Sequence, residues 1–226
     1  MPTGTREHPP RTAGSTAVRP ERQPRPRGWR SAVLAQAVAA VVLALVRGLV
    51  VDVYWIGSGS MAPTVEPGDR VLVNKLVDET DLERGDLVVF DGRGSFVPLH
   101  SEDPWPLQAV RTLGRWSGLV GSEHVYLKRV LGVGGDTVAC CGPSGRLVVN
   151  GEEITENYLY EGDLPSSFEF VAEVPEGRLW LMGDHRSVSA DSRSLLGAPG
   201  GGMVRADKVI GEPVAVLWPP DRAGQL

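Results

Sequence analysis

From Ala32 to Val46 the chain is apolar at every position except Gln36. A run of this kind must be buried in a core or in lipid, and its flanks decide which. As a helix, Ala32 to Val46 spans roughly 22 Å, short of the ~30 Å of a hydrocarbon layer. Continued through Arg47 to Tyr54 it reaches about 34 Å, enough to cross with some tilt. Arg47 then lies near one end, where its side chain extends to the interface. Before Ser31 there are seven Arg and two Glu, so that arm carries +5; the formal net charge of −5 leaves −10 on the remainder. Positive charge ahead of the run predicts one crossing, with the N-terminus cytoplasmic and everything after Tyr54 outside. A cleaved signal peptide would need a small-x-small site after the run, and Leu49-Val50-Val51-Asp52-Val53-Tyr54-Trp55 offers none.

This divides the sequence into a basic arm (1–30), an anchor helix (31–54), an extracytoplasmic domain (55–220) and a short tail (221–226). The arm is rich in Pro, Arg, Thr and Gly and nearly free of aliphatics, so it is expected to be disordered. It has no aromatics beyond Trp29 to interleave with its charges, and the domain it serves is acidic, which argues against nucleic acid as a partner. Lysine occurs only as Lys75, Lys128 and Lys208, a bias towards arginine that fits a GC-rich bacterial genome and limits catalytic amines to three. The cysteines Cys140 and Cys141 are adjacent. Neighbouring Cα atoms are ~3.8 Å apart across a trans peptide, below the usual disulfide span, so a strained vicinal bond, two thiols and an intermolecular bond all remain open. No C-x-x-C or H-E-x-x-H spacing is present, and neither a metal nor another cofactor is expected.

Beyond the anchor the pattern changes to short β-rich runs punctuated by Gly, Pro and Asp. Arg70 to Asn74, Asp86 to Phe90, His124 to Val133, Arg146 to Asn150, Arg178 to Met182 and Pro213 to Trp218 read as strands. Asn150-Gly151 is a type I′ hairpin signal. Helices and strands do not alternate, so the expected fold is mainly β, one antiparallel domain behind a single transmembrane helix. A Pro- and Trp-bearing insertion, Ser95 to Ser122, interrupts the strands. Its Leu107 to Trp116 segment reads as a short amphipathic helix or a surface loop, with Trp105 and Trp116 suited to the bilayer surface.

Two stretches carry chemistry. Gly57-Ser58-Gly59-Ser60-Met61-Ala62-Pro63-Thr64 sets serines between glycines ahead of a Pro turn, which suits presenting a hydroxyl as well as it suits a linker. In the run His124 to Leu131, a period of two places Tyr126, Lys128 and Val130 on one face. Burial there disfavours the ammonium; bringing a lysine from ~10.4 to near 7 takes roughly 4 kcal/mol, within reach of desolvation. A neutral Lys128 is then a general base for a serine, unless it simply extends to solvent as isolated lysines do.

Four motifs, in order, resemble those of the type I signal peptidases, membrane-bound Ser-Lys endopeptidases that remove signal peptides from exported proteins. They are Ser58 to Thr64, Arg84-Gly85-Asp86 with its apolar strand to Phe90, Tyr126 to Asp136, and Gly183-Asp184-His185-Arg186-Ser187-Val188-Ser189-Ala190-Asp191-Ser192-Arg193. The resemblance implies Ser60 as nucleophile and Lys128 as general base. It implies an oxyanion hole from the Ser60 N–H and the Ser58 hydroxyl, and Ser189 orienting the amine by hydrogen bond. Asp191 and Arg193 would pair beside the site, with Asp184 in the same wall. Departures are Val65 for the usual Leu, Gly57 and Gly134 for Pro, and His185 for Asn. His185 invites a Ser-His mechanism, which Lys128 at the family's base position makes superfluous. A reduced second lobe is expected over roughly Val138 to Val174.

The implied substrates are signal-peptide-bearing preproteins cut after an A-x-A pattern, delivered by the export machinery to a protein resident in the bilayer. An extended peptide turns alternate side chains to one face, so shallow apolar pockets would admit alanine. Ile56, Met61, Val65 and Leu127 are the candidate walls. Two other readings share features: a self-cleaving Ser-Lys regulator, disfavoured by the anchor, and an inactive membrane-anchored β binding module, which would not need Ser58, Ser60, Lys128 and Ser189 together.

Overall fold

The structure, a computed structural model, describes residues 28–96 and 124–226. The basic arm through residue 27, and residues 97–123, which hold most of the expected insertion and its amphipathic segment, lie outside the described residues. The chain falls into two compact units, one up to Val42 and one from Leu43 to Leu226.

Helix α1 runs from Trp29 to Leu49 with no buried residue, and it is long and apolar enough to cross a membrane. At 1.5 Å per residue it is about 31 Å long, close to the thickness of a hydrocarbon layer without the extension to Tyr54. That extension is corrected by the structure: Val51–Trp55 form strand β1. Val50, Val51 and Val53 are β-branched and Tyr54 and Trp55 aromatic, a composition that prefers a strand, and the preceding Gly48 weakens the helix. Lys75 closes the helix end, its Nζ donating to the Gly48 carbonyl at 2.6 Å. Arg47 pairs with Asp52 at 3.0 Å.

All strand pairs among the described residues are antiparallel, so the mainly β architecture expected from the sequence is the one observed. Beside β1, the larger sheet contains β2 (Arg70–Asn74), β3 (Leu87–Asp91), β4 (Val125–Gly132), β9 (Arg178–Met182), β10 (Val204–Arg205) and β11 (Val209–Trp218). Their order is β1-β2-β11-β3-β4-β9-β10, with β12 (Gly224–Gln225) added to β11. The smaller sheet contains β5 (Thr137–Cys140), β6 (Leu147–Val149), β7 (Glu152–Glu153) and β8 (Phe170–Glu173), in the order β7-β6-β5-β8. Strands β6 and β7 are joined by Asn150-Gly151, whose φ angles of 53° and 85° match the left-handed pair of a type I′ turn. Cys140 and Cys141 are joined as a vicinal disulfide at the end of β5. The sequence reading missed β1, β5, β8, β10 and β12, and β11 is longer than Pro213 to Trp218, beginning at Val209.

Side chains alternate across β4 as the pleat requires. Tyr126 and Val130 pack into a cluster with Val88, Phe90 and Leu181. Val125 and Leu127 belong to another, with Met61, Val65, Val71, Val73 and Val89. A third cluster joins Trp180 and Met182 of β9 to Val138, Leu147 and Phe170 of the smaller sheet. Strand β4 is therefore fixed on both faces, which holds its polar residues to one geometry.

Candidate active site

After Trp55 the chain leaves the sheet and returns to it at Arg70. Ile56 N–H donates to Asp69 O at 2.9 Å and Gly68 N–H to Ile56 O at 2.8 Å, closing the base of this loop. Inside it, Ala62 N–H bonds Gly59 O and Val65 N–H bonds Met61 O, forming a turn whose Met61 and Val65 side chains sink into the core. The buried Asp69 accepts the Glu66 N–H and pairs with Arg222 at 3.1 Å. Ser60 is thus held on a braced loop, 9% exposed.

Lys128 Nζ donates to Ser60 Oγ at 2.6 Å, across a separation of 68 residues. The lysine is 2% exposed; Tyr126 and Val130 flank it on its own face and Val88 lies directly opposite on β3. Burial lowers its pKa from 10.5 to about 8, while the carboxylates of Asp191 and Asp184 pull it back up and Arg193 lowers it a little further. Burial is the largest of these effects. Ser58 Oγ lies 3.3 Å from Ser60 Oγ, and the Ser60 N–H donates to no backbone carbonyl among the described residues, so both remain available to an incoming oxygen.

The wall beside this pair is the segment after β9. Asp191 caps the short 3-10 helix Ser192–Leu195 in a capping box, forms a two-pronged pair with Arg193, and accepts the Gly183 N–H at 3.1 Å. Gly183 touches both halves of the site: a Cβ there would lie 2.3 Å from Ser189 Oγ and 2.4 Å from Ser60 O. The expected bond from Ser189 to the lysine amine is not made. Ser189 Oγ is buried without a hydrogen-bond partner among the described residues, and the amine is turned to Ser60 instead. Asp184, fully buried, pairs not with Arg193 but with Arg129, which offers Nε to Oδ1 at 2.8 Å and Nη2 to Oδ2 at 2.7 Å. Thr64 Oγ1 donates to the same Oδ2 at 2.6 Å. Arg129 also donates to Gly85 O at 2.7 Å and lies 3.9 Å over the Tyr158 ring. Sequence reasoning missed Arg129, Thr64 and Tyr158. A carboxylate destined for full burial needs a cation, and the arginine next to the lysine was the signal that one was at hand.

His185 makes no hydrogen bond to the Ser60 hydroxyl among the described residues. Its ring stacks on Tyr160 with centroids 3.8 Å apart, Nε2 lies 4.0 Å from Asp163, and it meets the loop only through its backbone N–H, which donates to Ser60 O at 3.1 Å.

Ser60 lines an apolar cleft of about 450 Å³. Ile56, Met61, Val65 and Leu127, the four candidate wall residues, all line it, together with Tyr54, Trp55, Val89, Val125 and Tyr126. A buried amine bonded to a hydroxyl, next to donors and an apolar slot, has the parts for acyl transfer from an extended peptide.

The sequence profile described as "Signal peptidase, peptidase S26" matches residues 29–218. The chain is 34% identical to the probable signal peptidase I of Mycobacterium leprae (strain TN), covering 87% of this chain and 78% of that one. It is 36% identical to the signal peptidase I of Mycobacterium tuberculosis (strain ATCC 25618 / H37Rv), covering 83% and 72%. A crystal structure of a signal peptidase I from Enterococcus faecalis V583 matches 58% of this chain and 96% of its own at 22% identity, with a TM-score of 0.37. From the extent of the profile match and the two mycobacterial relatives, the chain belongs to the signal peptidase family, peptidase S26, whose members are membrane-anchored serine endopeptidases.

Proposed function

We propose that this protein cleaves signal peptides from exported preproteins after an A-x-A-type site, with Ser60 as nucleophile and Lys128 as general base. The observation that carries this is the 2.6 Å bond from a buried amine to the serine hydroxyl. In the neutral form Lys128 takes the Ser60 proton as Oγ attacks the scissile carbonyl, and later returns it to the leaving amine. The Ser60 N–H and the Ser58 hydroxyl stabilise the oxyanion, a contribution on the order of several kcal/mol in a water-poor site. Asp191, Arg193 and Asp184 hold the wall that carries Ser189, and Ser189 meets the amine once substrate displaces it from Ser60. The cleft lined by Ile56, Met61, Val65 and Leu127 receives the small side chains before the cut. The domain works outside the cell membrane with its basic arm in the cytoplasm, so the cut falls near the outer surface of the bilayer that holds the substrate.

Full-length protein in detergent, given a preprotein with an A-x-A site, is expected to cut after the second small residue. Ser60→Ala and Lys128→Ala are each expected to lower kcat by about 10⁴-fold or more. Full activity in Lys128→Ala, with loss in His185→Ala, overturns the assignment. Protease accessibility of the β-domain in intact spheroplasts tests the orientation.

A further inference from the structure

The apolar cleft lies to one side of Ser60, and none of residues 183–189 lines it. That segment bounds the serine elsewhere, through the His185 N–H to Ser60 O bond and the close approach at Gly183. A loop from the smaller lobe is fastened along it. Tyr160 N–H donates to Asp184 O at 3.1 Å, Asp163 accepts the Ser187 N–H at 3.1 Å, and Arg186 reaches Glu156 and the Pro165 carbonyl. These bonds fix an outer surface of apolar side chains: Val188 is 59% exposed, Leu164 69% and Tyr160 39%. Glu161 is exposed beside them.

Building on the proposed peptidase activity, we infer that this ledge of Tyr160, Leu164 and Val188 is the subsite for the residues that follow the scissile bond. A peptide whose small residues fill the cleft must continue past Ser60. The braced segment, which touches Ser60 outside the cleft, is the surface it meets. The polypeptide after the cut is thus the occupant, read in an extended form by apolar contact. Large apolar side chains in the first few positions are favoured there. Acidic ones are disfavoured by Glu161.

The test uses internally quenched peptides sharing one A-x-A-bearing half and carrying Leu, Ala or Asp at the second to fourth positions after the cut. With the full-length enzyme, kcat/KM is expected to favour Leu over Ala by about fivefold, the size of half-burying a leucine side chain. Leu164→Ser is expected to bring that ratio within about twofold while the alanine peptide is cut at the wild-type rate. Glu161→Gln is expected to relieve the Asp peptide by about threefold and leave the Leu peptide unchanged. Equal rates for all three peptides, or a preference untouched by either variant, overturn the ledge while leaving the peptidase reading in place. No cleavage of the alanine peptide by the wild-type protein overturns both.

Discussion

Lys128 and Arg129 are consecutive cations on β4, pointing to opposite faces of one strand, and the protein treats them in opposite ways. Arg129 is surrounded by acceptors: both oxygens of Asp184, the Gly85 carbonyl and the face of Tyr158. Lys128 is buried among apolar side chains and makes its one hydrogen bond among the described residues to a serine hydroxyl. The first environment keeps a charge and uses it as a brace between three segments distant in sequence. The second makes a charge expensive, which suits the base role proposed for it. Nearby carboxylates would cancel that effect if they faced the amine unpaired; Asp184 and Asp191 are instead satisfied by Arg129 and Arg193. Burial outweighs the pull of both carboxylates on the lysine, and Arg193 adds a smaller push in the same direction as burial.

The contrast can be broken at its strongest point by Arg129→Met, which strands the Asp184 carboxylate. The expected loss is about 3–5 kcal/mol of stability, read by urea unfolding of the full chain in detergent. A loss below about 1 kcal/mol would mean the network is not a brace. Lys128→Met should do the reverse. Below pH 8 both folded and unfolded chains carry the ammonium, and the folded one bears its full burial penalty. Between about 8 and 10.5 the native lysine loses its proton first, so native stability rises with pH; above 10.5 the penalty is gone. The variant is therefore expected to gain about 3 kcal/mol at pH 7, and nothing near pH 11. A gain independent of pH contradicts the desolvated amine.

Activity sharpens the same point. With a neutral amine required, kcat/KM should climb about tenfold per pH unit below 8 and level off above it. A flat profile from pH 6 to 9 excludes Lys128 as the titrating base. The smallest effect is on the arginine face: Tyr158→Leu should cost about 1 kcal/mol through loss of the ring under Arg129. The pH profile of activity should not shift.

The lysine was legible in the sequence because its surroundings are local. Tyr126 and Val130 share its face by the period of the strand alone, and β3 adds only Val88 opposite. The arginine's role was not, since Gly85, Thr64 and Asp184 lie 44, 65 and 55 residues away and no pattern along the chain announces their meeting. Strands with clear alternation and turn residues, such as Arg70–Asn74 and Arg178–Met182, were read to the residue. Thr137–Cys140 and Phe170–Glu173 are four residues each, too short to show a period, and gain their identity by pairing with each other. Val51 to Tyr54 was mistaken for helix because an apolar run does not itself say where lipid ends and sheet begins. At Ser189 the family pattern indicated a bond that the unliganded geometry does not contain.

Gly183 has a consequence of another kind. Its bare backbone sets the gap between the Ser60 carbonyl and the Ser189 hydroxyl, leaving no room for even a methyl group. The placement of Ser60 against Ser189 is therefore encoded partly as a missing atom. A chain could keep every polar residue of the site and still lose its register through one added carbon, so inventories of catalytic side chains overlook a determinant that has no side chain at all.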